Sequence, residues 1–310
     1  MKTLECTTRI RLENILLATD FSPASSAPLA CAEALARHYG SKIFVVHVIA
    51  SESDQAGSPG ASPASLEHTG GVVEAQRSEL LGSDRLQGVR HEFLMEEGNV
   101  GDVITDLVRR LGIDLLVLGT HGRRGFQKFV LGSGAEALFR RAVCPVLTVG
   151  PRAYAQAWCA MKLRRILFPT DLTPPSLAAL PLALSLAQEH QAQLTLLHLV
   201  HPDIHSSSER NRIKASYETQ LHHLIPEESK QGCETVAVLE FGTAAEGILT
   251  FADRQHSGLI VLGIRRMSGL DWAAPHIPSP TAYIVAAQSR CPVMTVRRPQ
   301  NPMGLFPKTD

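Results

Sequence analysis

The residues best suited to ligand chemistry lie in the first half of the chain. Asp20 follows the short apolar run Asn14–Thr19, and His47-Val48 closes a second run, Lys42–Ile49. Gly119-Thr120-His121-Gly122 closes a third, and beyond nine intervening residues comes Gly132-Ser133-Gly134. Glycine lets backbone approach a ligand without a Cβ in the way. Gly132-Ser133-Gly134 opens a predicted helix, whose unpaired N–H groups and dipole favour phosphate. Ser133 adds a hydroxyl, and Arg123, Arg124 and Lys128 supply positive charge in the intervening loop. Asp20 can accept hydrogen bonds from ribose hydroxyls or an exocyclic amine. No GxxxxGK[ST] occurs, so the pattern is not a P-loop.

Structural readings compete at each position. Ser133-x-x-Glu136 is also a capping box, and Gly119 and Gly122 taken alone read as turn residues. The strand-end aspartate, the glycine pair and the Gly-Ser-Gly helix start together favour phosphate.

These residues need a scaffold that brings several strand ends to one edge. Apolar runs suited to strands buried on both faces alternate with helical spacings. Strands are expected at Asn14–Thr19, Lys42–Ile49, Arg90–Met95, Asp114–Gly119 and Val146–Val149. Helices are expected at Ser22–Tyr39, Val72–Leu86, Gly101–Leu111 and Ser133–Arg140, with a Ser/Gly/Pro-rich loop at Ser51–Gly71. This alternation predicts an α/β fold with a parallel sheet covered on both faces, ligands lying beyond the strands' carboxyl ends.

The pattern occurs twice. Ile15, Asp20 and His47 recur as Ile166, Asp171 and His198, each 151 residues later. DLLVLG at 114–119 recurs as GLIVLG at 258–263, and CPVLTV at 144–149 as CPVMTV at 291–296. The expected organisation is a first domain over 1–150, a linker over 151–163, a second domain over 164–298 and a tail over 299–310. Helices of the second copy are expected near Ser176–Glu189, Glu209–Leu224 and Ala245–Gln255. Val146–Val149 and Val293–Val296 are apolar final strands whose bare edges would be liabilities unless paired, so they are expected to pair with each other.

Composition bounds the rest. The 310 residues carry 30 basic and 30 acidic side chains, and 44% are apolar. That excludes a disordered chain and leaves no whole-chain nucleic-acid footprint. No apolar run reaches the ~20 residues of a membrane span, and the start lacks a secretory h-region. Six cysteines without a CxxC pair fit a reducing, cytoplasmic setting.

With ILLATDFS at 15–22, HVI at 47–49, Gly119-x2-Gly122-x9-Gly132-Ser133 and the CPVLTV ending, the sequence resembles the universal stress protein (UspA) family, of the tandem two-domain type. The resemblance covers about 13–150 and 164–298. It implies two doubly wound, Rossmann-like domains of the adenine nucleotide alpha hydrolase type, each a five-stranded parallel sheet. It also implies ATP, with Mg²⁺, held without a Walker A loop. Carried over, Asp20 should contact adenosine, Val48 should offer backbone to adenine, and Gly119, Gly122, Gly132, Ser133 and Gly134 should surround ribose and phosphates. Ala18 stands where many members carry proline.

The second copy departs from the motif. Gly263 remains, but Arg266 replaces the second glycine, and Ser279-Pro280-Thr281 replaces Gly132-Ser133-Gly134. Pro280 has no N–H to give a phosphate. One nucleotide site is therefore expected, in the first copy, with Asp171 and Leu199 keeping only the adenosine end. The resulting expectation is a binding protein of the stress response that signals by nucleotide occupancy. A slow ATPase or phosphotransferase using His121, and a purely structural tandem domain, are the alternatives; a homodimer and a protein partner stay open.

Other features read as structural. His198, His201, Asp203 and His205 suggest zinc, but His198 repeats His47 as a packed position. His222 and His223 fit a solvated helix face. Cys144 and Cys291 precede prolines at repeated positions and read as small buried residues.

Overall fold

The computed structural model describes residues 10–49, 86–120, 138, 142–150, 153, 163–201, 207–225, 232–265 and 280–297. In the first copy β1 (Asn14–Ala18) is followed by a 3₁₀ turn at Pro23–Ser25 and α1 (Ser26–Tyr39), then β2 (Lys42–Ile49). Next come β3 (His91–Glu97), α2 (Val100–Arg110), β4 (Leu115–Gly119) and β5 (Val146–Val149). The second copy opens with β6 (Arg165–Pro169), α3 (Pro174–Leu177), α4 (Leu180–Glu189) and β7 (Gln193–Val200). It continues with α5 (Ser207–His223), β8 (Thr235–Phe241), α6 (Ala244–Arg254), β9 (Leu259–Ile264), α7 (Pro280–Gln288) and β10 (Val293–Arg297).

All ten strands form one sheet, in the order β3-β2-β1-β4-β5-β10-β9-β6-β7-β8. Within each copy every pairing is parallel. At the seam β5 runs antiparallel to β10, with Val146 opposite Thr295, Leu147 opposite Met294 and Thr148 opposite Val293. Two buried threonines at equivalent positions tie it further: Thr148 Oγ1 donates to Val293 O at 3.1 Å, and Thr295 Oγ1 to Val146 O at 3.4 Å. Because the seam is antiparallel, the carboxyl ends of the two strand sets point to opposite edges of the sheet.

Burial on both strand faces explains the unbroken apolar runs. In β1, Ile15 and Leu17 enter one core and Leu16 another. The first core is common to both copies: Leu29 and Leu35 of α1, Leu182 and Leu184 of α4, Phe168, Leu147, Val149, Met294 and Val296 all belong to it. On the other face each copy keeps its own core, around Ile104 and Leu107 in the first and Ile248 and Phe251 in the second.

Two helix expectations differ in detail. The predicted helix at Ser176–Glu189 is broken into α3 and α4, because Pro181 lacks the N–H that would bond Leu177 and its ring crowds that carbonyl. The helix expected from Ser22 begins as a 3₁₀ turn and becomes α-helical at Ser26. The helices expected at Val72–Leu86 and Ser133–Arg140 lie outside the described residues apart from the buried Leu86 and Leu138. At the amino edge Asp114 accepts from the Glu13 and Asn14 N–H groups at 2.8 and 2.9 Å, fixing β1 against β4. Burial pushes its carboxyl pKa up despite those bonds.

Candidate functional site

The strand order reverses between β1 and β4, the place where open α/β sheets leave a crevice at their carboxyl edge. Asp20 leaves β1 there, Gly119 ends β4, and Val48 lies near the end of β2, opposite Glu96 of β3. These three predicted site residues share one edge. Gly122, Gly132, Ser133 and Gly134, with His121, Arg123, Arg124 and Lys128, lie outside the described residues.

The β1 exit is built in detail. Thr19 N–H bonds Val46 O at 3.0 Å, holding the exit to β2. Phe21 then takes a left-handed φ of 57°, uncommon for a bulky residue. Its N–H is caught by Thr19 Oγ1 at 3.0 Å, which holds the turn. His47 Nδ1 lies 2.9 Å from Thr19 O. A carbonyl only accepts, so that nitrogen carries the proton. The His47 ring also rests on Phe21, centroids 4.9 Å apart, and Phe21 stacks on Phe93 at 5.9 Å. Within this frame Asp20 Oδ1 accepts from Ser22 N–H and Ser25 Oγ, both at 2.9 Å. The carboxylate is thus pre-aimed. Beside it, Ser22 Oγ is buried with no hydrogen-bond partner. A buried hydroxyl without a partner is costly, and it suits a site whose ligand brings acceptors or donors.

The second copy repeats the device. Leu172 has φ 64°, its N–H bonds Thr170 Oγ1 at 3.0 Å, and His198 Nδ1 donates to Thr170 O at 2.8 Å. Asp171 Oδ1 accepts from Thr173 N–H at 3.0 Å and Thr173 Oγ1 at 2.6 Å. Partial burial works against ionisation of Asp171, but the Thr173 and Ser176 hydrogen bonds outweigh it and hold the pKa below the ordinary 3.8. The contribution of Asp171 to stability is therefore present above pH 3.8 and lost as pH falls through its lower folded value. Asp171→Asn should flatten the acid limb of a stability–pH curve below pH 4, read by urea unfolding.

Gly263 shows why this strand-end position is glycine. A Cβ there would meet Pro175 O at 2.5 Å and Ser176 O closer still, because the first turn of α3 lies directly on β9. Pro280 opens α7, so that helix start lacks one N–H. In place of Phe21, the ring against His198 is Tyr217 of α5, stacked at 4.5 Å. His198 is thereby buried, held by one hydrogen bond and one ring stack. Asp203 and His205 lie outside the described residues, and among the described residues no group of three His, Cys, Asp or Glu could hold a metal. His222 and His223 are exposed on α5. Burial pushes the Cys144 and Cys291 thiols up to about 12 and about 11, so neither is a nucleophile near neutral pH.

Sequence reasoning placed Asp20 but missed Thr19, Phe21 and Ser25, which aim it. The repeated Thr-Asp-x at 19–21 and 170–172 was the available signal.

Comparison with known proteins agrees with this architecture. The profile of the universal stress protein family matches residues 11–150 and again 162–297. Universal stress protein A homolog 1 of Coxiella burnetii is 34% identical over 143 residues, 44% of this chain and 95% of that protein. A universal stress protein of Thermus aquaticus is 32% identical over 138 residues, 44% of this chain and 98% of its own length. The crystal structure of a universal stress protein from Archaeoglobus fulgidus superposes with a TM-score of 0.66, at 19% identity, over 92% of this chain and 98% of that one.

Proposed function

The chain belongs to the universal stress protein family, and on that premise we propose that it binds one adenine nucleotide, ATP with Mg²⁺, at the carboxyl edge of its first copy. The observation that carries this reading is the Asp20 carboxylate, held by Ser22 N–H and Ser25 Oγ beside the buried, unpartnered Ser22 Oγ, at the crevice between β1 and β4. Asp20 takes the adenosine end, and Val48 presents backbone to adenine. Gly119, Gly122, Gly132, Ser133 and Gly134 take ribose and phosphates, with helix N–H groups meeting the phosphate charge. Mg²⁺, when bound, neutralises phosphate charge. Asp20 is engaged in orienting bonds, which suits holding a ligand better than abstracting a proton. The protein then acts as a cytoplasmic stress-response component, read by a partner according to nucleotide occupancy. The β5–β10 seam keeps its two domains, 1–150 and 164–298, working as a pair within one chain.

In the second copy Pro280 removes a donor and Arg266 replaces a glycine, so that copy serves as a structural or regulatory partner. No helix among the described residues is long and apolar enough to cross a membrane.

The test is nucleotide released by heat from purified protein and identified by chromatography. One adenine nucleotide per chain is expected, with Gly132→Pro releasing none. Asp20→Ala, which removes a charged acceptor, should weaken ATP roughly 10- to 100-fold by calorimetry. Saturating ATP at a thousandfold excess over Kd should stabilise the wild type by about 4 kcal/mol. Two nucleotides per chain would sink the one-site reading. No nucleotide, even after soaking with ATP and Mg²⁺, would sink the binding reading altogether.

A further inference from the structure

The seam between the copies is built about a pseudo-twofold axis. Leu147 faces Met294, its own counterpart in the repeat. The two seam hydroxyl bonds, Thr148 to Val293 O and Thr295 to Val146 O, are counterparts of each other. The same axis brings together the carboxyl ends of α1 and α4. Gly40 and Gln191, equivalent positions just beyond those ends, are both left-handed, with φ of 69° and 50°. On such an axis a position meets its own counterpart, so two identical copies would set identical residues face to face.

At the helix ends the facing residues are unlike. His38 corresponds to Glu189, and Tyr39 to His190. His38 Nε2 lies 3.5 Å from Glu189 Oε1, and the His38 ring is 5.1 Å from that of His190. Burial first, then the Glu189 charge and hydrogen bonding to Glu189, push the Tyr39 pKa up, so the phenol keeps its proton beside that carboxylate. One carboxylate of the second copy thus serves an imidazole and a phenol of the first. Two first copies paired through this surface would bring His38 to His38, with no carboxylate from either position. Two second copies would bring Glu189, whose side chain is only 18% exposed, against Glu189, with the His190 rings as the remaining partners. Like charges so placed oppose pairing. A further contact is equally one-sided. Arg297 Nη1 donates across the seam to Ala142 O at 3.2 Å. The first copy has Gly150 in that place, where a Cβ would stand 3.4 Å from the counterpart carbonyl, Ser289 O.

We propose that Glu189, set against His38 and Tyr39, makes the seam selective: a first copy takes a second copy as its partner, and each copy rejects its own kind. The apolar strands attract without making that choice. Leucine and methionine are close in volume, so Leu147 or Met294 could face itself at little cost. The selection has a functional consequence. Every paired unit holds one intact glycine motif and one altered motif, and two intact motifs are never joined across a seam. This holds whatever ligand the carboxyl edge takes.

The test builds both like-with-like faces inside the full chain. Glu189→His with His190→Tyr gives both helix ends the first copy's residues. His38→Glu with Tyr39→His gives both the second copy's residues. All four substitutions together exchange the two ends and restore an unlike pair. Amide hydrogen exchange of β5 and β10 reads how readily the seam opens. Protection should fall at least tenfold when two carboxylates face each other and at least threefold when there is none. In the fourfold variant it should return to within about threefold of wild type, which a chain that merely tolerated the changes badly would not do. Wild-type protection in both like-faced variants overturns the proposal, because these residues then make no choice. A fourfold variant as unprotected as the like-faced ones overturns it too, because each residue is then fitted to its own helix end and not to its partner.

Discussion

Gly263→Ala will destabilise the second copy by about 3 kcal/mol, the upper part of the range for forcing atoms into a packed interior. The added Cβ would stand 2.5 Å from Pro175 O and nearer still to Ser176 O. Both are backbone atoms of α3, which cannot rotate away as a side chain can. Two other glycines calibrate the effect. At Gly258 a Cβ would find Leu163 Cδ2 at 3.5 Å and Arg165 O at 3.6 Å, ordinary contacts, so Gly258→Ala should stay within about 0.5 kcal/mol of wild type. At Gly247, inside α6, alanine gains about 1 kcal/mol of helix propensity. It also meets Leu199 Cδ2 at 2.6 Å, a side-chain end that can turn, so the net change should be within about 1 kcal/mol. Urea unfolding of the three variants should rank Gly263→Ala far apart from the others. A Gly263→Ala protein as stable as Gly258→Ala would mean that α3 does not seat on β9.

This expectation bears on the candidate site. Gly119 occupies the position of Gly263, and the Pro23–Ser25 turn packs on β4 as α3 packs on β9. At Gly263 the glycine is required by packing, with no ligand involved. Loss of nucleotide from a Gly119 variant would therefore say less than loss from Asp20→Ala, which adds no atom against the strand end.

The contrast shows what could be read from the residues. β2 and β5 were legible to their ends, Lys42–Ile49 and Val146–Val149, because strands buried on both faces admit only apolar runs and turn residues bound them. Asp20 and Val48 were legible as edge residues for the same reason: once strands are placed, their carboxyl ends are too. The break before α4 was less visible, since Pro181 lies inside a run whose helical spacing continues across it. The left-handed Phe21 was not legible, because φ > 0 in a phenylalanine is imposed by Thr19 and His47 and not by its own preference. The meeting of His38 with Glu189 was hidden for a different reason. It depends on how two copies dock, which neither periodicity nor spacing encodes.

That docking sets the other large effect. Leu147→Asp, a change confined to the first copy, should destabilise both copies together by roughly 4 kcal/mol, as an uncompensated buried charge does. Leu147 is wholly buried, faces Met294 across the seam, and belongs to the core that α1 and α4 share. The common core a carboxylate would enter there is apolar, with Val149, Met294 and Val296 of the same two strands among its members. Thr148→Val is the matched control. It removes one seam hydroxyl, whose bond to Val293 O is worth about 1 kcal/mol, while preserving shape. The discriminating measurement is amide hydrogen exchange of β9 and β10, in the copy that carries no substitution. If the common core makes the seam part of one cooperative unit, their protection falls with that of β4 and β5 in Leu147→Asp, and scarcely changes in Thr148→Val. If β9 keeps wild-type protection while β4 loses it, the copies unfold independently. The seam would then be an association of finished domains.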